Sequence, residues 1–131
     1  MSIEKINPAE LHEPEGYAHV VVAEATRRVY VAGQVGVKPD GEVVGTDLAS
    51  QTSQALENVR LALAAAGAGW EHVAKLMIYM VDFDESKRAQ FGAGLGPAVE
   101  SGMTPTAATL VGVQALFRPD VLVEIEAIAE V

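Results

Sequence analysis

The sequence predicts an α+β domain in which helices pack on one face of a mixed β-sheet. Three observations carry this. One long stretch near residues 48–66 has apolar residues at helical spacing, short alternating β-branched runs lie on both sides of it, and turn-forming residues separate the runs. The 131 residues fit one domain, 1–131, and leave no room for a second core.

Residues 1–16, with Pro8, Pro14 and Gly16, read as an irregular lead-in. The runs 18–24 and 28–34 alternate and are joined by Ala25-Thr26-Arg27, so the pattern predicts a β-hairpin. Lys38-Pro39-Asp40-Gly41 is a turn: proline presets φ, aspartate bonds locally and glycine tolerates positive φ. A brief strand over 42–45 is expected next. Asp47 then caps a helix over 48–66 that carries Leu48, Thr52, Ala55, Leu56, Val59 and Leu63 on one face and stops at Gly67. Residues 73–81 form a strand, apolar apart from Lys75, that is expected to be buried on both faces. A second helix begins near Asp84. Its later part contains Gly92, Gly94, Gly96 and Pro97, which predict a frayed or kinked element. Two final strands, near 106–114 and 121–129, are expected to form a second hairpin through a loop at Phe117-Arg118-Pro119-Asp120.

The composition excludes several kinds of chemistry. With no cysteine there is no disulfide, thiolate ligand or cysteine nucleophile. A net charge of −9 opposes phosphate backbones, so no nucleic-acid partner is expected. No apolar run approaches the ~20 residues of a membrane span, so no membrane partner is expected. The first residues, Met1-Ser2-Ile3-Glu4-Lys5, lack a signal peptide's apolar core, and the expected compartment is the cytoplasm. His12, His19 and His72 show no metal-ligand spacing, so no metal or other cofactor is expected.

The last strand is the most informative for chemistry. In Val121-Leu122-Val123-Glu124-Ile125-Glu126-Ala127-Ile128 the odd positions are apolar and face the core. Glu124 and Glu126 then share the opposite face with Leu122 and Ile128. Such a face is either an ordinary wet surface or a partly enclosed carboxylate suited to proton transfer at an interface. Gly33 either admits a ligand to the backbone or marks a bulge. Tyr17 either offers a hydroxyl to a substrate or packs with a wet tip.

Five segments in order resemble the reactive intermediate deaminase (Rid/YjgF) family over nearly the whole chain. They are Val31-Ala32-Gly33-Gln34, Gln51-Thr52-Ser53-Gln54-Ala55-Leu56-Glu57-Asn58, the helix end at Gly67, Val73-Ala74-Lys75, and Val123-Glu124-Ile125-Glu126-Ala127-Ile128-Ala129. The resemblance implies a chorismate-mutase-like fold, a homotrimer with clefts between subunits, and cofactor-free hydrolysis of enamines and imines to 2-keto acids. It assigns proton transfer to Glu124, with Tyr17, Ala32, Gly33 and Thr109 around the substrate.

The chain departs from the family at one decisive place. The arginine that holds the substrate carboxylate in archetypal members falls at Ala107, within Pro105-Thr106-Ala107-Ala108-Thr109. Losing a bidentate anchor costs roughly 2–5 kcal/mol for the same substrate. Arg88 and Arg118 are the cations expected to substitute, unless the pocket takes a different molecule. The expected function is therefore enamine or imine hydrolysis in an inter-subunit cleft. The alternative is a non-catalytic trimer that binds a small metabolite or partner in the same clefts.

Overall fold

The computed structural model describes residues 2–131. The chain runs β1 (Ser2–Ile6), β2 (Val20–Glu24), β3 (Arg28–Val35), α1 (Leu48–Ala65), a 3-10 turn at Trp70–His72, β4 (Val73–Val81), α2 (Ser86–Ala93), α3 (Gly96–Glu100), β5 (Ala107–Val113) and β6 (Val123–Glu130). Four strands form a mixed sheet in the order β3-β6-β4-β5, while β1 and β2 form a separate antiparallel pair. β6 is antiparallel to both β3 and β4, and β5 is parallel to β4.

α1 forms as the sequence predicts. The Asp47 carboxylate accepts from the Ser50 backbone N–H at 2.9 Å, and Gly67 takes the left-handed conformation just past the helix end. Its face of Leu48, Ala55, Leu56, Val59 and Leu63 is buried against Leu76, Ile78 and Met80 of β4 and Val123, Ile125, Ala127 and Ala129 of β6. These residues form the core. Among the described residues no helix is long and apolar enough to cross a membrane.

Both expected hairpins are corrected. β2 pairs with β1, so residues 2–6 are a strand and not irregular lead-in, and β3 pairs with β6. The link Ala25-Thr26-Arg27 has no glycine or asparagine for a tight hairpin turn. Arg27 instead exchanges two backbone hydrogen bonds with Val131, at 3.0 and 2.8 Å, which hands β3 to the last strand. β5 and β6 are not neighbours either, because β4 lies between them. The 82–106 segment is long enough for the crossover that a parallel β4–β5 pair requires. The expected strand at 42–45 is reduced to a single bridge between Val37 and Val43.

The second helix divides as its glycines predict. A Cβ on Gly94 would lie 2.5 Å from the Ala49 carbonyl oxygen and 2.7 Å from Thr52 Cβ, so the break allows the chain to touch α1. β4 departs from expectation: Leu76, Ile78 and Met80 are buried, but Lys75, Met77, Tyr79 and Val81 on its other face are only half-buried. That face of the sheet is open.

One core hydroxyl has no partner among the described residues: Thr52 Oγ1, on a residue fully shielded from solvent. Thr52→Val keeps the shape and removes an unsatisfied polar atom. It is expected to leave stability unchanged or raise it by about 1 kcal/mol. Thermal and denaturant unfolding check this, and a clear loss of stability would mean that the hydroxyl is hydrogen-bonded in solution.

Candidate functional site

The register of the sheet decides which side chains meet on the open face. Along β6 the open-face residues are Glu124, Glu126 and Ile128, opposite Tyr79, Met77 and Lys75 of β4. β5 continues the same face with Val111, Thr109 and Ala107, opposite Tyr79, Met77 and Lys75 in turn. Ala107 therefore belongs with Lys75, while Glu124 belongs with Tyr79 four residues along. At ~3.3 Å per residue these positions lie about 13 Å apart along the strand, with two further strand spacings between them because β4 separates β5 from β6. Within one chain Ala107 and Glu124 are not neighbours. The open face carries two separate half-sites.

The first half-site is built around Glu124. Pairing between β3 and β6 shifts register between Val31 and Gln34, so Ala32 and Gly33 form a bulge across from Glu126. A Cβ on Gly33 would lie 1.9 Å from Glu124 Oε2, so glycine there makes room for the carboxylate. Glu124 is half-buried and has no hydrogen bond or ion pair from its side chain among the described residues. Glu126, which shares its face, differs: its Oε1 accepts from the Tyr79 hydroxyl at 2.5 Å. That hydrogen bond, then partial burial and the charges of Glu126 and Glu124, hold the Tyr79 phenol above its ordinary value. Tyr79 thus occupies Glu126 and leaves Glu124 available.

Two amides of α1 hold this half-site, and the sequence reading passed over their role. Fully buried Gln51 donates to the Gly45 and Asp120 carbonyls at 2.9 and 3.0 Å and accepts from the Leu122 N–H at 2.8 Å. Asn58, two turns later on the same side of the helix, donates to the carbonyls of Val35 and Val37, both at 2.9 Å. One amide fixes the entry to β6 and the other the exit from β3, on either side of Glu124. The motif Gln51 to Asn58 was visible as a resemblance. Its seven-residue spacing was the signal that both amides face the same way.

The second half-site surrounds Ala107. The Ala18 N–H donates to the Thr106 carbonyl at 2.8 Å, which places the Tyr17 segment beside Ala107. Tyr17 is half-buried, its hydroxyl 2.7 Å from His12 Nε2 and its ring edge-on to His19 at a 5.3 Å centroid distance. Thr109 is exposed, and its Oγ1 accepts from Lys75 Nζ at 3.1 Å.

The two expected substitute cations are engaged elsewhere. Arg118 donates to both Asp120 carboxylate oxygens, at 3.1 and 2.9 Å, and to the Gly41 carbonyl at 3.0 Å. It fastens the loop before β6 to the 38–41 turn. Arg88 lies exposed on α2, bonded to Glu85 at 3.0 Å and 3.8 Å from Glu15. Neither sits on the sheet face that carries Ala107 and Glu124. On the opposite, helix-covered side, a cavity of about 170 Å³ is lined by Leu56, Ile78, Phe91, Leu95, Met103 and Ile125 among others. Its walls bring no acid, base or cation together.

Comparison with known proteins agrees with this fold. The family model described as endoribonuclease L-PSP matches residues 9–131. A RutC family protein of Pyrococcus horikoshii is 36% identical over 102 residues, 77% of each chain. A human protein named 2-iminobutanoate/2-iminopropanoate deaminase is 31% identical over 70 residues, 53% of this chain and 50% of that one. Among solved structures, a Rid-family protein of unknown function from Yersinia pestis superposes with a TM-score of 0.89 at 36% identity, covering 100% of both chains. The YjgF gene product of E. coli gives 0.70 at 32% identity over 87% of each. The α+β fold with its mixed sheet, the order of the motifs and the family model all lead to one place: this chain belongs to the Rid/YjgF family.

Proposed function

We propose that the protein hydrolyses a reactive imine or enamine in a cleft formed between copies of the chain, with Glu124 moving the protons. The observation that carries this reading is the Glu124 carboxylate itself. It is half-buried, free of partners among the described residues, and lodged in space that only glycine at position 33 leaves open. In the reaction, water adds to the imine carbon while Glu124 accepts a water proton. That proton passes to nitrogen to give a carbinolamine; Glu124 then carries the proton of the new hydroxyl to the amine, the C–N bond breaks, and ammonia leaves as the carbonyl forms. An enamine first takes a proton at its β-carbon to enter this path. No cofactor is required at any step.

A second copy is needed because the Ala107 half-site lies too far along the same sheet to face its own Glu124. The open face also carries Val111 and Tyr30, both exposed, beside half-buried Met77 and Ile128. Exposed apolar side chains on such a mixed face suit self-association, and a homotrimer is the assembly we propose. The human relative named as an imine deaminase supports the chemistry. E. coli TdcF, solved with bound serine, is 27% identical with a TM-score of 0.70 and supports a small amino-acid-like ligand. The net charge of −9 favours a small molecule over RNA as the substrate.

The test is keto-acid release when imino acids are generated in situ by an amino-acid dehydratase or oxidase, measured against spontaneous hydrolysis. The wild-type protein is expected to accelerate release, and Glu124→Gln to lower the rate about 10²-fold or more while the fold remains. A wild-type rate no faster than solvent across a panel of imines, or a fully active Glu124→Gln variant, contradicts the reading.

A further inference from the structure

We infer that Lys75 is the group that binds the substrate's carboxylate, with Thr109 as its hydroxyl partner, in a chain that carries alanine at position 107. The inference rests on the function proposed above and assigns a binding residue of that site.

Position 107 is alanine and offers no cation of its own. Lys75 stands directly opposite it on the neighbouring strand and on the same open face. Its Nζ reaches Thr109 Oγ1 at 3.1 Å, so the ammonium leans across β5 toward the Glu124 end of the sheet. The other basic side chain on this face, Arg28, is neutralised by Glu130 at 2.5 Å. Lys75 has no carboxylate within 4 Å among the described residues, although the chain holds 18 acidic residues against 9 basic ones. A half-buried ammonium that contacts one hydroxyl still has donor capacity for an anion. Lys75 and Thr109 together present a charge and a hydroxyl donor, which suits one carboxylate.

An ammonium is a point charge and lacks the planar fork of a guanidinium. It holds a carboxylate without dictating its plane, and the small Ala107 beside it leaves space for a side chain on the substrate. Lys5 is the nearest competitor by sequence neighbourhood, since its Nζ donates to Thr104 Oγ1 at 2.8 Å. It stands on β1, outside the four-stranded sheet, and serves as the control.

The experiment separates binding from turnover. Calorimetry or NMR titration with 2-oxobutanoate, the stable keto-acid product analogue, reads the carboxylate contact alone in the intact oligomer. Lys75→Met is expected to weaken binding about tenfold to hundredfold. Lys75→Arg is expected to retain most of it, and Lys5→Met to match wild type. Affinity should fall as salt rises in wild type and lose that dependence in Lys75→Met. In the hydrolysis assay Lys75→Met should penalise imino acids but not the corresponding imines that lack a carboxylate. Wild-type-like binding by a correctly assembled Lys75→Met, or no keto-acid binding by wild type, overturns the inference. Lys75-dependent binding without hydrolysis upholds the anchor and sinks the hydrolytic reading instead.

Discussion

Gly33→Ala is expected to remove most hydrolytic activity while leaving the fold and assembly standing. The added Cβ would lie 1.9 Å from Glu124 Oε2, 2.7 Å from its Cδ and 2.8 Å from its Cγ, so the glutamate must swing away. Gly33 is not among the positive-φ residues, so alanine meets no backbone penalty and the damage passes through Glu124. Misplacing a catalytic group by an ångström can cost about 10²-fold, and a loss of that order in kcat/KM is expected. The melting temperature should move by only a few degrees, because the displaced carboxylate makes no bond that the fold depends on. A Gly33→Ala, Glu124→Gln double variant should be no worse than Glu124→Gln alone, since both changes act on one group. Full activity in Gly33→Ala would show that the position of Glu124 does not matter.

Much of the fold was legible where local chemistry and packing agree. Asp47, the apolar face of α1 and Gly67 wrote that helix within a residue of its ends. The alternation in 121–129 placed Glu124 and Glu126 on the face away from the core, where they stand. Strand pairing was not legible. Residues 18–24 and 28–34 look like a hairpin because they are close in sequence, yet the partner of β3 is β6, almost a hundred residues away. That pairing depends on Arg27 meeting Val131, and no local pattern announces it.

The site was legible in its parts and not in its arrangement. Glu124, Gly33 and Ala107 were each visible, but their spacing on the open face follows from strand register, which a sequence does not print. Arg88 and Arg118 drew attention as arginines, although both are held by nearby carboxylates. Lys75 was visible as an interruption in an apolar strand and as the end of the Val73-Ala74-Lys75 segment, but not as a binding group. Its bearing on Ala107 emerged from the parallel register of β4 and β5.

The central claim is that the two half-sites of one cleft come from different subunits, and mixing two inactive variants tests it most directly. Glu124→Gln removes the proton carrier, while Ala107→Trp fills the other half-site and leaves Glu124 intact. Each is expected to form inactive oligomers, with assembly checked by light scattering. When the two are unfolded together at equal amounts and refolded, subunits assort at random. A cleft works only if its Glu124 comes from the Ala107→Trp chain and its open half from the Glu124→Gln chain, which random assortment gives in about a quarter of clefts. Recovery of about a quarter of wild-type activity per cleft is the expected result. Mixed oligomers that form but stay inactive would place the whole site within one chain and contradict the shared cleft.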